Sequence, residues 1–348
     1  MNDILLEEYI NSYRFSLTNP NTDSSLYDKI LKSLLNGKSE KVTHNLKVVD
    51  CYSLNKFPCV FSGTNQDYII YDRYIERINK IFNYLYEYGI TSETDSYVDK
   101  LIYGLTAEQC LIANDKIGFI YSSLRFNSID SELNPITKND EFIDTLQTHF
   151  IVLHEYGHFL LKQITMPDDY SSIIELIEEI QKEMLKIFTC KEHDKIISFI
   201  KDLSSDKNFI EECFCDSFAM SFIFKYILDE CTEEEKLFAI KAIFYQLLTV
   251  HILSSMEPNQ DTTTMTKSEI KSYARRISLK YISESFISAE LSDELIEVFN
   301  TMHNIETHFC DNYFEKLYIF QDEILNIKKS NLPYNLNYTY FSDLYGGL

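Results

Sequence analysis

The chain has 348 residues, 45% hydrophobic and 14% aromatic, with 54 acidic side chains against 32 basic ones and a net charge of −22. That length supports one large or two modest domains with a real core. A surface so negative repels phosphate backbones and anionic lipid, which argues against nucleic acid or a membrane as partner.

With only 8 Gly and 6 Pro, the composition predicts long helices joined by short connections, and with no Trp the packing falls to 25 Tyr and 24 Phe. The opening "MNDILLEEYINSYRF" has no basic stretch followed by an apolar one, as an export signal would. No uninterrupted apolar run approaches the roughly 20 residues of a membrane span. The eight cysteines show neither CxxC pairing nor disulfide-scaffold spacing. They read as reduced thiols, and the expected location is the cytoplasm.

Residues 1–45 read as N-terminal helices. In "TDSSLYDKILKSLLNGK" the leucines fall at helical spacing and Gly37 supplies a C-cap. "KVVDCYSL", "FPCVFSG" and "DYIIYD" are short β-branched or aromatic runs between turn residues, and predict a small antiparallel sheet over 47–72. "DRYIERINKIFNYLYEYG" predicts a helix ending at Gly89. Within 95–130, "IGFIYSSLRF" fits either a strand or a buried helix. A helix capped by Asn139 or Asp140 then carries "HFIVLHEYGHFLLKQ". Two charged amphipathic helices over 165–208 read as an inserted hairpin. From 209 onward the pattern is helical, apart from the loop "SSMEPNQDTTTMTKS". The fold class is therefore mainly α (α+β). It divides into 1–45, a sheet and motif-helix part over 46–164, an insertion over 165–208, and a helical part over 209–348.

His154, Glu155 and His158 interrupt an otherwise apolar helix. Four residues span about 400° of helical turn, so the two imidazoles lie on one face, a turn apart. Buried core histidines are one reading. The other is an HExxH zinc site, in which the histidines bind Zn²⁺ and Glu155 serves as general base. The spacing HExxHxxGxxH is excluded, because Leu161 and Ile164 stand where its glycine and third histidine belong. A second helix must then supply a carboxylate. "FIEECFCDSFAMSFIFKYIL" is apolar on every face yet holds Glu211, Glu212 and Asp216. Buried charges need a partner or a metal. Glu212 and Asp216 share a face, which makes Glu212 the third ligand and Asp216 the acceptor for a ligand histidine's second ring N–H. Cys213 and Cys215 on the same helix read as small hydrophobes, with a metal site built on them as the alternative. His251, in "LLTVHILSS", is either a core histidine or an oxyanion donor. Arg275 and Arg276 are candidates to neutralise a developing oxyanion.

HExxH followed by Glu212-Cys-Phe-Cys215-Asp216-Ser-Phe218-Ala219 resembles the glutamate-ligand zincins, whose second element reads E-x-x-A-[DN]-x-F-A. The ImmA/IrrE-type cytoplasmic metallopeptidases and the Lit-like phage-exclusion proteases are the groups it is most similar to. The likeness covers about 139–230, with Cys215 in place of the usual alanine and a longer gap between His158 and Glu212. It implies a zinc endopeptidase fold with Glu155 as base and Glu212 as ligand. It also implies cleavage of a restricted intracellular protein or peptide substrate in a stress or phage-related response. The competing expectation is a non-catalytic, zinc-stabilised sensor or interaction protein. Oligomeric state is not legible in the residues.

Overall fold

The computed structural model describes residues 46–51, 58–63, 66–89, 91, 94–112, 115–130, 140–163, 170–187, 194–255 and 267–330. The helices expected over 1–45 and most of the loop after 254 lie outside them. What is described is mainly helical with one small sheet, as the sequence indicates.

The strands are β1 (Leu46–Cys51), β2 (Cys59–Ser62) and β3 (Asp67–Asp72). Their order is β1-β3-β2, so the sheet is mixed rather than antiparallel as expected. β2 pairs antiparallel with β3, while β1 pairs parallel with it, Leu46 opposite Asp67 and Cys51 opposite Asp72. The reason lies in β3. Tyr68, Ile69, Ile70 and Tyr71 are all buried, so both faces are covered and the strand takes the centre. The half-exposed β2 occupies one edge through a tight reversal (Gly63 N donates to Gln66 O, 3.1 Å), which leaves the other edge to β1.

Helix α1 (Arg73–Tyr88) starts directly from β3, with Asp72 Oδ1 accepting from Tyr74 N at 3.0 Å. It closes at Gly89, whose φ of 72° suits glycine and whose N–H reaches Leu85 O at 2.8 Å. Helices α2 (Asp95–Ile112) and α3 (Lys116–Ser128) pack on one another. "IGFIYSSLRF" is therefore helical, capped by Asp115, which accepts from Gly118 N at 3.1 Å. Next come α4 (Asp140–Gln163), α5 (Tyr170–Ile187) and α6 (Asp194–Asp202). Then follow α7 (Lys207–Tyr226), α8 (Glu233–Ser255), α9 (Lys267–Glu284) and α10 (Ser292–Ser330). Asp206 caps α7 by accepting from Phe209 N at 3.1 Å. A reciprocal box opens α8, with Thr232 N to Glu235 Oε2 at 2.8 Å and Glu235 N to Thr232 Oγ1 at 3.2 Å.

The chain forms two compact units. The first holds the sheet, the start of α1, α4 to α7, α8 as far as Phe244, and α9. In it α9 packs against α7, α5 and α6, so the two helices expected over 165–208 form and pack beside α7 and α9. Helix α4 is tied to the sheet by Tyr71 Oη and Thr148 Oγ1 (3.1 Å), and to α8 by Gln147 Nε2 donating to Ala242 O (3.1 Å).

The second unit holds α1 from Arg77, α2, α3, α8 from Tyr245 and α10 from Ile296. A polar seam joins α1 to α8: Asn79 bonds Gln246, Tyr86 Oη meets Thr249 Oγ1 at 2.9 Å, and Tyr245 Oη donates to Tyr86 O at 3.2 Å. By length and composition α8 is apolar enough to cross a membrane, but 72% of that stretch is buried inside the protein, as in a core helix.

Candidate metal centre

The site is built on α4 and α7 within the first unit, and a glycine lets them approach. A Cβ on Gly157 would lie 3.1 Å from Cys215 Cα, 3.1 Å from its Cβ and 3.0 Å from its Sγ. Two of those atoms belong to the α7 trace or stand directly on it, so any larger residue at 157 must push the helices apart. The close crossing sets the reach of the side chains on the facing surfaces.

His154 and His158 stand a turn apart on α4, ring centroids 5.0 Å from one another. Glu212 of α7 faces both: its Oε2 is 3.4 Å from His154 Nε2, and its Oε1 is 3.2 Å from His158 Nε2. Donor atoms bound at 2.0–2.1 Å around a tetrahedral zinc stand about 3.3–3.4 Å apart. The two nitrogen–oxygen separations are close to that spacing, each to a different oxygen of the carboxylate, and this donor chemistry suits zinc. A second trio is present as well. His154, His158 and Cys215 each offer a donor atom, all within 4.8 Å of one another, and can hold a metal ion. Cys215 is fully buried, and burial first, then the carboxylates of Glu212, Asp216 and Glu155, push its thiol far up. Glu212, held ionised by Arg275 against its partial burial, faces both imidazoles as a further oxygen donor.

Asp216 sits where the sequence places it. Its Oδ1 accepts from His154 Nδ1 at 2.8 Å, which leaves Nε2 for the site. Burial alone would lower the His154 pKa, but the bonds to Asp216 and Glu212 outweigh it and raise it to about 10. Burial pushes the Glu155 carboxyl up to about 7, against the lowering pull of His154 and His158.

Arg275 enters from α9. Its Nε and Nη2 donate to Asp216 Oδ2 and Oδ1 at 2.7 and 2.8 Å, and its Nη1 lies 2.9 Å from Glu212 Oε2. Against the cost of burial, this guanidinium holds both carboxyls well below the usual carboxylate range. The sequence expectation of an oxyanion-stabilising Arg275 thus meets a side chain whose three nitrogens already face carboxylates. The signal for that role was present. Asp216 is buried and Glu212 half-buried, so both acids on α7 gain from a nearby cation.

The remaining candidates lie elsewhere. Arg276 is buried with its guanidinium 5.7 Å over the Tyr273 ring. His251 belongs to the second unit, where it is buried and its Nε2 lies 2.5 Å from Glu306 Oε1. On α4 itself, five residues before His154, His149 bonds the carbonyl of Thr145 at 2.6 Å. Neither a family model, nor a curated protein, nor a solved structure matches this chain.

Proposed function

We propose that the protein is a zinc-dependent intracellular endopeptidase acting on a restricted protein substrate. The observation that carries this reading is the convergence of His154 Nε2, His158 Nε2 and the Glu212 carboxylate at ligand spacing, with Glu155 beside them. His154, His158 and Glu212 would hold the metal, which when bound polarises the scissile carbonyl and acidifies water. Asp216 fixes the His154 tautomer by accepting its Nδ1 proton. Glu155, buried and tuned to about 7, takes the proton of the attacking water on its carboxylate and delivers it to the leaving amide nitrogen. The resemblance of the two motif helices to glutamate-ligand zincins of the ImmA/IrrE and Lit-like kinds supports the same chemistry. It also favours a narrow substrate in a stress or phage-related response. The net charge of −22 favours a target with a basic patch near its cleavage site, bound more weakly as salt rises.

The test pairs metal analysis with Glu155→Gln, which keeps the shape of the side chain but removes the proton acceptor. Zinc content and folding persist while hydrolysis stops, and terminal-peptide proteomics on cells expressing either form reveals the substrates. Turnover near the wild-type rate in Glu155→Gln excludes this mechanism.

One observation supports a second reading. Cys215 adds a thiol to the donors around the imidazoles. If it binds together with Glu212, the metal has four protein ligands and no open position, as in a structural site. The protein would then be a zinc-stabilised sensor or interaction module. Cobalt substitution separates the two, since a bound thiolate adds a charge-transfer band that Cys215→Ser abolishes.

A further inference from the structure

We propose that Arg275 is a positioning residue of this metal centre, a strap that sets Glu212 and Asp216 as one unit against the two imidazoles. The proposal rests on the metal-binding reading above. The contacts form a closed circuit: His154 Nδ1 to Asp216 Oδ1 (2.8 Å), Asp216 to Arg275 through two bonds (2.7 and 2.8 Å), Arg275 Nη1 to Glu212 Oε2 (2.9 Å), and Glu212 back to both imidazoles. Each member constrains the next. By holding Oε2, Arg275 sets the plane of the Glu212 carboxylate and directs Oε1 toward His158. By gripping both oxygens of Asp216, it fixes the acceptor that orients His154.

The competing role is charge compensation alone, because Asp216 is buried and Glu212 is a second acid beside it. The two roles predict different things. Compensation needs a positive charge and nothing more, so lysine would serve. Positioning needs a planar fork whose nitrogens match two carboxylates at once, which lysine cannot supply. Three lysines on α7 and α9 pair with other acids: Lys207 with Glu211 at 3.5 Å, and Lys267 and Lys271 with Asp206 at 3.2 and 2.7 Å.

The experiment compares the full chain with Arg275→Lys. Zinc affinity is measured by competition with a chromophoric chelator, and the coordination of cobalt by its visible absorption. Arg275→Lys stays folded, but its zinc affinity falls by about 10–100-fold and its cobalt spectrum changes, as for loss of a group that orients ligands. The double variant Arg275→Met/Asp216→Asn removes the strap and one acid together and stays near charge balance. Should Arg275→Lys prove unstable, it is read against Asp216→Asn alone and loses affinity beyond that single change. Wild-type affinity and an unaltered cobalt spectrum in the folded variants overturn the proposal. Failure of the wild-type chain to take up zinc at all overturns both the metal reading and this role.

Discussion

The carboxylate of Glu212 lies between the Nε2 atoms of His158 and His154, 3.2 Å from one and 3.4 Å from the other. Its neighbour Glu211 instead pairs with Lys207, one turn away on the same helix, at 3.5 Å. Glu212→Ala is therefore expected to lose bound zinc, while Glu211→Ala keeps it. Metal analysis after dialysis against a weak chelator decides the matter. Loss of zinc in Glu211→Ala instead would place the wrong face of α7 at the site.

Asp216 separates ligand from orienter. Asp216→Asn keeps an oxygen for His154 but loses the charge that Arg275 grips. Zinc affinity should fall by about 10–100-fold without abolition. An unchanged dissociation constant would remove Asp216 from the site.

Gly157→Ala should damage the fold and the site together. The added Cβ meets Cys215 Cα and Cβ at 3.1 Å, and overpacking of this kind costs about 1–3 kcal/mol. Cys215→Ala in the same chain relieves only the Sγ contact, so rescue is partial. Thermal unfolding of the single and double variants measures both, and full tolerance of Gly157→Ala would show that the helices need not touch there.

Asp206 links the start of α7 to α9 by capping Phe209 N and pairing with Lys267 and Lys271. Although its partial burial works against ionisation, the lysines and the Phe209 N–H lower its pKa to about 2. An unfolded aspartate titrates near 3.9. The stabilisation is thus complete above about pH 4 and is lost as pH falls through about 2. Asp206→Ala should cost about 0.5–2 kcal/mol at neutral pH. Denaturant unfolding at pH 7 and at pH 3 should show a smaller acid loss in the variant than in the wild type.

Spacing within one element was the legible part of the sequence. His154 and His158 at four residues, Glu212 and Asp216 at four residues, and the Gly89 stop after an amphipathic run all follow from helical periodicity, and each takes its expected place. Choices between elements were less legible. Turn residues mark where β1, β2 and β3 end but carry no information about which edge β3 offers to which neighbour, and so the parallel pairing of β1 was missed. "IGFIYSSLRF" had no polar stripe to distinguish strand from helix. Arg275 was selected for its charge, yet its partners are set by how α9 packs on α7, a long-range contact that local pattern does not encode. Gly157 lies inside the motif, and its small size is explained only by Cys215 on a helix far along the chain.

The separation of Arg275 from Asp216, 59 residues along the chain, also orders events during synthesis. Both imidazoles and both carboxylates leave the ribosome well before α9. Until α9 docks, the two acids lack their guanidinium and the donors lack fixed orientation. A nascent or truncated chain ending short of α9 would thus carry the whole HExxH signature and still bind metal poorly. If the protein is the hydrolase proposed above, competence acquired only once α9 docks keeps an incomplete chain from acting on its neighbours.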